Sequence, residues 1–134
     1  MTALDTSVCI PALVSWHQRH EVSRQAARGA RIPAHALTES YAVLTRLPSP
    51  HRLDGDVAVK LLAGWFGAKD ILPSPASLQR GLVASLASLG IEGGATYDAL
   101  VGLTAHHHGE LLLTRDRRAC QTYEALGVAF RLLD

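Results

Sequence analysis

The run Leu111-Leu112-Leu113, set between Glu110 and Thr114, is short and wholly apolar. Successive residues of a strand point to opposite faces, so a strand of this composition has no face for water. Strands buried on both sides belong to parallel sheets clothed by helices, because parallel neighbours need long crossover connections. The rest of the chain supplies such connections, with Gly and Pro as punctuation. Met1–Leu4 reads as a first strand ending at Asp5. Ser7 can cap a helix through Val8, Ile10, Leu13 and Val14. A polar helical stretch, Gln18–Arg28, stops at Gly29, and Arg31–Ala36 reads as a second strand. Leu37-Thr38-Glu39 then opens a helix that Pro48 and Pro50 end. Asp54 or Asp56 caps the next, which carries Val57, Leu61, Leu62 and Trp65. After the apolar pair Ile71-Leu72, Ser74-Pro75 starts a helix striped by Leu78, Leu82, Leu86 and Leu89 and stopped at Gly90. Helices follow from Ala95 to about His107 and over Arg117–Leu126, with Val128–Leu133 as the last strand. This alternation predicts an α/β domain built on a parallel sheet.

The length of 134 residues suits one domain, which can bury most of its apolar surface without disulfide staples. Hydrophobic residues make up 48% and aromatics only 5%, so the core must be largely aliphatic. A net charge of +1 gives no general basic footprint for nucleic acid. Lys60 and Lys69 are the only lysines. The arginines suit bidentate phosphate contacts, although an Arg-rich chain also reflects a GC-rich genome. The N-terminus meets Asp5 without a basic n-region, and no apolar run is long enough to cross a membrane. A cytoplasmic protein with Cys9 and Cys120 reduced is the expectation.

Four of the 12 acidic residues fall where chemistry is expected. Asp5 ends the first strand. Asp116 lies just beyond Leu111–Thr114. Glu39 begins the helix after the second strand, and Asp98 lies in the first turn of its helix. Ligands of open α/β sheets bind beyond the carboxyl ends of the strands, so four segments send carboxylates to one edge. An Asp at a helix start also serves as a cap, and each acid taken singly reads that way too. Together they would repel one another unless a cation sat between them. Oxygen-only ligation favours Mg²⁺, with Mn²⁺ as substitute, over zinc. Such a site can activate water and stabilise charge on a phosphate, which points to a phosphodiester.

The segments Leu4-Asp5-Thr6-Ser7, Leu37-Thr38-Glu39-Ser40, Tyr97-Asp98-Ala99-Leu100 and Leu113-Thr114-Arg115-Asp116-Arg117-Arg118 resemble the four acidic motifs of the PIN-domain family, in order and approximate spacing. The closing stretch, Thr114–Ala119 with Thr122-Tyr123 and Leu126-Gly127-Val128, resembles the VapC toxin branch. The resemblance implies a PIN-like three-layer α/β/α fold with a short central parallel sheet, residues 1–134 forming a single PIN domain. It implies a metal-dependent endoribonuclease held inactive by a VapB-type antitoxin, and a homodimer. Asp5 and Asp98 would be the most direct metal ligands, with Glu39 and Asp116 completing the pocket. Thr6, Ser7 and Thr114 would serve as hydrogen-bond partners of ligand carboxylates or as local caps. Arg115, Arg117 and Arg118 would meet RNA phosphates or stand solvated.

Other chemistries fit less well. The seven histidines invite a metal-free mechanism, but His17, His20, His35 and His51 are scattered. Neighbouring residues of a helix diverge, so His106-His107-His108 cannot chelate one ion well. A haloacid dehalogenase-type phosphatase needs a second Asp where Ser7 stands, and a receiver domain needs a lysine on a late strand. From a different class, the alternative is a catalytically silent PIN-fold RNA- or protein-binding module, which loss of an acid would favour. Trp16 and Trp65 suit either core or interface.

Overall fold

A computed structural model describes all residues from Met1 to Asp134. Three parallel strands form the centre of the sheet: β1 (Thr2–Leu4), β4 (Leu111–Thr114) and β5 (Phe130–Leu132), in the order β1-β4-β5. A second parallel pair joins β2 (Ile32–Pro33) to β3 (Ile71–Leu72). A single parallel bridge between Ala3 and Arg31 links the two. Its bonds run from Leu4 N to Arg31 O and from Arg31 N to Thr2 O, each 2.9 Å. The strands therefore lie side by side as β3-β2-β1-β4-β5. Leu112 and Leu113 are buried, as their composition demands. Each such side chain contributes about 1.5–3 kcal/mol by leaving water.

The helices are α1 (Thr6–Leu13), α2 (His20–Ala27), α3 (Ala34–Thr45), α4 (Gly55–Trp65), α5 (Ala76–Leu86), α6 (Ala95–His107) and α7 (Arg117–Ala125). Right-handed crossovers place those linking β1 to β2 and β2 to β3 on one face, and those linking β3 to β4 and β4 to β5 on the other. The packing agrees: α1 meets α2 and α3, α3 meets α4, while α6 packs between α5 and α7. The result is the expected three-layer α/β/α arrangement with a parallel sheet.

Several boundaries differ from the sequence reading. The second strand is Ile32–Pro33 rather than Arg31–Ala36, because α3 begins at Ala34. Glu39 therefore lies well inside α3 and does not open it. Ser7 does not cap α1. Asp5 is the cap and accepts from Ser7 N at 3.0 Å. The pair Ile71-Leu72, read only as an apolar run, is a strand because Ile32–Pro33 gives it a partner. The last strand shrinks to Phe130–Leu132. Gly29, Gly90 and Gly127 stop their helices with φ near +70°, a conformation that costs glycine little.

Candidate active site

The sheet order reverses between β1 and β4. The chain steps from β1 through β2 to β3 on one side, and β4 and β5 lie on the other. Connections leaving the carboxyl ends of β1 and β4 diverge there and open a crevice, the usual ligand site of such sheets. Asp5 follows β1 and Asp116 follows β4. Glu39 comes from α3 and Asp98 from the first turn of α6, helices that meet across this edge. All four acids line one pocket of about 460 Å³. A second depression of about 380 Å³ shares Glu39, Asp98, Asp116 and Arg118 with it. Glu39, Asp98 and Asp116 thus border both depressions, and Asp5 only the first.

Asp5 is the most constrained of the four. It is 6% exposed. Its Oδ1 accepts from Ser7 N and Ser7 Oγ, and its Oδ2 accepts from the Tyr123 hydroxyl at 2.8 Å. Burial raises its pKa despite donors from Ser7, Thr114 and Tyr123 that favour the charged form. Ser7 also ties the two strand ends together: Arg115 N donates to Ser7 Oγ at 2.7 Å, and the Thr114 hydroxyl lies 3.3 Å away. Thr114 Oγ1 accepts from Asp116 N at 3.1 Å. Asp116 caps α7 through Oδ1, accepting from Arg118 N at 2.9 Å and Ala119 N at 3.4 Å, so its Oδ2 is free. Glu39 accepts from the Thr6 hydroxyl. Thr6 thus holds a carboxylate, Thr114 turns the backbone ahead of Asp116, and Ser7 does both.

Asp98 is pushed up to about 6, first by burial and then by the charges of Asp116, Asp5 and Glu39. The charged forms of the four acids therefore disfavour one another in this pocket. No three His, Cys, Asp or Glu side chains stand grouped as a ready cage for a metal ion. The donor set itself is all oxygen, as a hard divalent ion prefers.

Two groups were missed in the sequence. Tyr123, in the sequence only one residue of the closing motif, is fully buried and holds Asp5. Gly102 of α6 gives its ring room, since a Cβ there would lie 2.8 Å from Tyr123 Cδ1. Arg46, at the end of α3, lines the pocket and joins none of the chain's ion pairs. Of the histidines only His17 lines the acid pocket. His35 stacks on Tyr97 with ring centroids 5.0 Å apart.

The PIN-domain family model matches residues 2–125, which defines the class of this fold and site. Ribonuclease VapC40 of Mycobacterium tuberculosis is 47% identical over 134 residues, 99% of each chain. Ribonuclease VapC27 of the same organism is 48% identical over 128 residues, 94% of this chain and 92% of that one. The chain belongs to the VapC branch of the PIN-domain family. Among solved structures, FitAcB from Neisseria gonorrhoeae superposes with a TM-score of 0.70 at 21% identity, covering 97% of this chain and 96% of that one. VapBC2 from Rickettsia felis, bound to a promoter DNA fragment, gives 0.68 at 14% identity over 99% and 98%. These distant likenesses bear on the fold. No helix is long and apolar enough to cross a membrane.

Proposed function

We propose that the chain is a toxin endoribonuclease that hydrolyses RNA phosphodiester bonds with a divalent cation, Mg²⁺ or in its place Mn²⁺. The observation that carries this is the meeting of Asp5, Glu39, Asp98 and Asp116 from four elements in one pocket at the switch point of the sheet. Kinship with proteins named ribonuclease supports the choice of RNA. The residues fit such a cation, being oxygen donors whose charges raise the pKa of Asp98. Asp5 and Asp98 would hold it most directly, with Glu39 and Asp116 completing the set. When bound, the cation would supply a more acidic water and charge to offset that growing on phosphate. The chain's own part is positional. Ser7 and Tyr123 fix the Asp5 carboxylate, and Thr6 steadies Glu39. Asp116 offers its free Oδ2 to orient water. Arg46 and Arg118 border the same pocket and can meet phosphates on either side of the cut. A catalytically silent fold is the weaker reading, because all four acids are retained.

The water oxygen bonds to phosphorus, the bond to the 3′ oxygen breaks, and that oxygen leaves with a proton. The 2′-hydroxyl takes no part. Products are therefore expected to carry a 5′-phosphate and a 3′-hydroxyl. Chelator should stop cleavage and Mg²⁺ or Mn²⁺ restore it. A 2′,3′-cyclic phosphate in the mass spectrum, or full activity in excess chelator, would contradict the mechanism and revive a histidine-based one.

A VapB-type antitoxin is the expected partner and a homodimer the expected assembly. Four carboxylates make a natural dock for an arginine, so the antitoxin is expected to insert one or to block the groove with an apolar segment. Co-expression with a cognate VapB-type antitoxin should yield a complex that no longer cuts RNA. An inhibitory complex whose contacts all lie on the opposite face would argue against this mode of inhibition.

A further inference from the structure

The acid pocket does not end at the acids. It continues along α1 and α3, over Ile10, Pro11 and Val43, to His17 and Arg46. His17 also lines a separate depression of about 290 Å³ with Trp16 and Gln18. The two hollows therefore adjoin at one side chain. Trp16 is 49% exposed although one face of its indole is taken. His51 stacks there with centroids 4.1 Å apart and planes 27° from parallel. An indole backed by a second ring and half open to water is a ready surface for another flat ring.

The polar groups beside it suit a phosphate. Arg46 is exposed and forms no ion pair with a carboxylate of the chain. His17 Nδ1 accepts from Arg19 N at 3.0 Å. Burial and the neighbouring charge of Arg115 favour its neutral ring, which leaves Nε2–H as the donor. A flat aromatic, a free guanidinium and a ring N–H form the combination that reads single-stranded nucleic acid. The length of α1, eight residues or about 12 Å, separates Asp5 from this end. The base bound there belongs to a neighbour of the scissile linkage rather than to the linkage itself.

We propose that Trp16, His17 and Arg46 form a nucleotide subsite: an unpaired RNA base stacks on the free face of Trp16 while its phosphate meets Arg46 and His17. The subsite rests on the reading of the chain as a ribonuclease. It restricts the substrate to single-stranded RNA or loops, since a base held in a duplex has no free face to offer.

Trp16 lies in a loop and is half exposed, so Trp16→Ala should fold. With a single-stranded oligoribonucleotide and saturating Mg²⁺, the variant is expected to raise KM roughly ten-fold while kcat holds. Trp16→Phe should recover most of the loss, and Arg46→Ala should raise KM and flatten its dependence on salt. In a Trp65→Phe background Trp16 is the sole tryptophan, and its emission should be quenched by the oligonucleotide. An unchanged KM in Trp16→Ala, or an emission indifferent to RNA, overturns the subsite. So does a variant that cuts normally but binds the antitoxin less tightly, which would make this face a protein dock. If the parent itself neither binds nor cuts RNA, the ribonuclease reading fails and the subsite with it.

Discussion

Asp98→Asn is expected to abolish RNA cleavage while leaving the metal-free protein at least as stable as the parent. The activity loss should exceed the roughly 10- to 100-fold that removing an outer partner of a metal site costs, because Asp98 would face the cation directly. The stability follows from removing a charge that burial and neighbouring carboxylates both disfavour. Asp98 stands near 6 in the folded chain, raised by burial and by Asp116, Asp5 and Glu39. A raised folded pKa means the folded state prefers the protonated acid. That preference is fully present below the unfolded pKa, near ~4, and is lost as pH rises through about 6. Above that window the metal-free parent carries a penalty of about 1–2 kcal/mol once solvent screening is allowed for. Asparagine removes the charge at similar volume. Its melting temperature without metal should therefore match or exceed the parent's at pH 7, and the difference should vanish near pH 4. Mg²⁺ should raise the parent's melting temperature by mass action and the variant's by less. Full activity in a folded Asn variant would remove Asp98 from the site. Strong destabilisation without metal would assign it to the start of α6 as a structural residue.

Tyr123→Phe is expected to cost both stability and activity, although the phenol stands behind the acid rather than in the reaction. Its hydroxyl donates to Asp5 Oδ2 at 2.8 Å in a buried contact. Burial, followed by the charge of Asp5, drives its own pKa far above the ordinary value, so it remains a donor at any working pH. Phenylalanine fills the same space and leaves a buried carboxylate oxygen unpaired. Hydrogen bonds to charged groups are worth about 1.5–3 kcal/mol, which sets the expected loss in unfolding experiments at neutral pH. The loss should shrink in acid, as Asp5 takes up its proton. Cleavage should fall on the order of 10- to 100-fold, with weaker Mg²⁺ protection in melting curves, because an unheld Asp5 no longer presents its carboxylate in one orientation. A variant as stable, as active and as responsive to Mg²⁺ as the parent would show that Ser7 alone suffices to hold Asp5.

The local parts of this architecture were legible in the chain. The all-apolar Leu111–Leu113, the glycines at positions 29, 90 and 127 and the span Ala95–His107 act through neighbours a few residues away, so their spacing already encodes the element. Asp5, Asp98 and Asp116 were legible for the same reason, since each lies at or next to the end of a local element and parallel sheets expose those ends together. What depended on a distant partner was not legible. Ile71-Leu72 is too short to declare itself and becomes a strand only beside Ile32–Pro33. The start of α3 moved back to Ala34, which set Glu39 inside the helix. Tyr123 stands in the sequence only as part of the closing motif, which assigns its hydroxyl no partner. Only the packing of α7 against β4, with Gly102 leaving space for the ring, brings its hydroxyl to an acid 118 residues away. Spacing along the chain determines which face of an element a side chain occupies. Which polar atom it meets there depends on how the layers close, and that is a property of the whole fold.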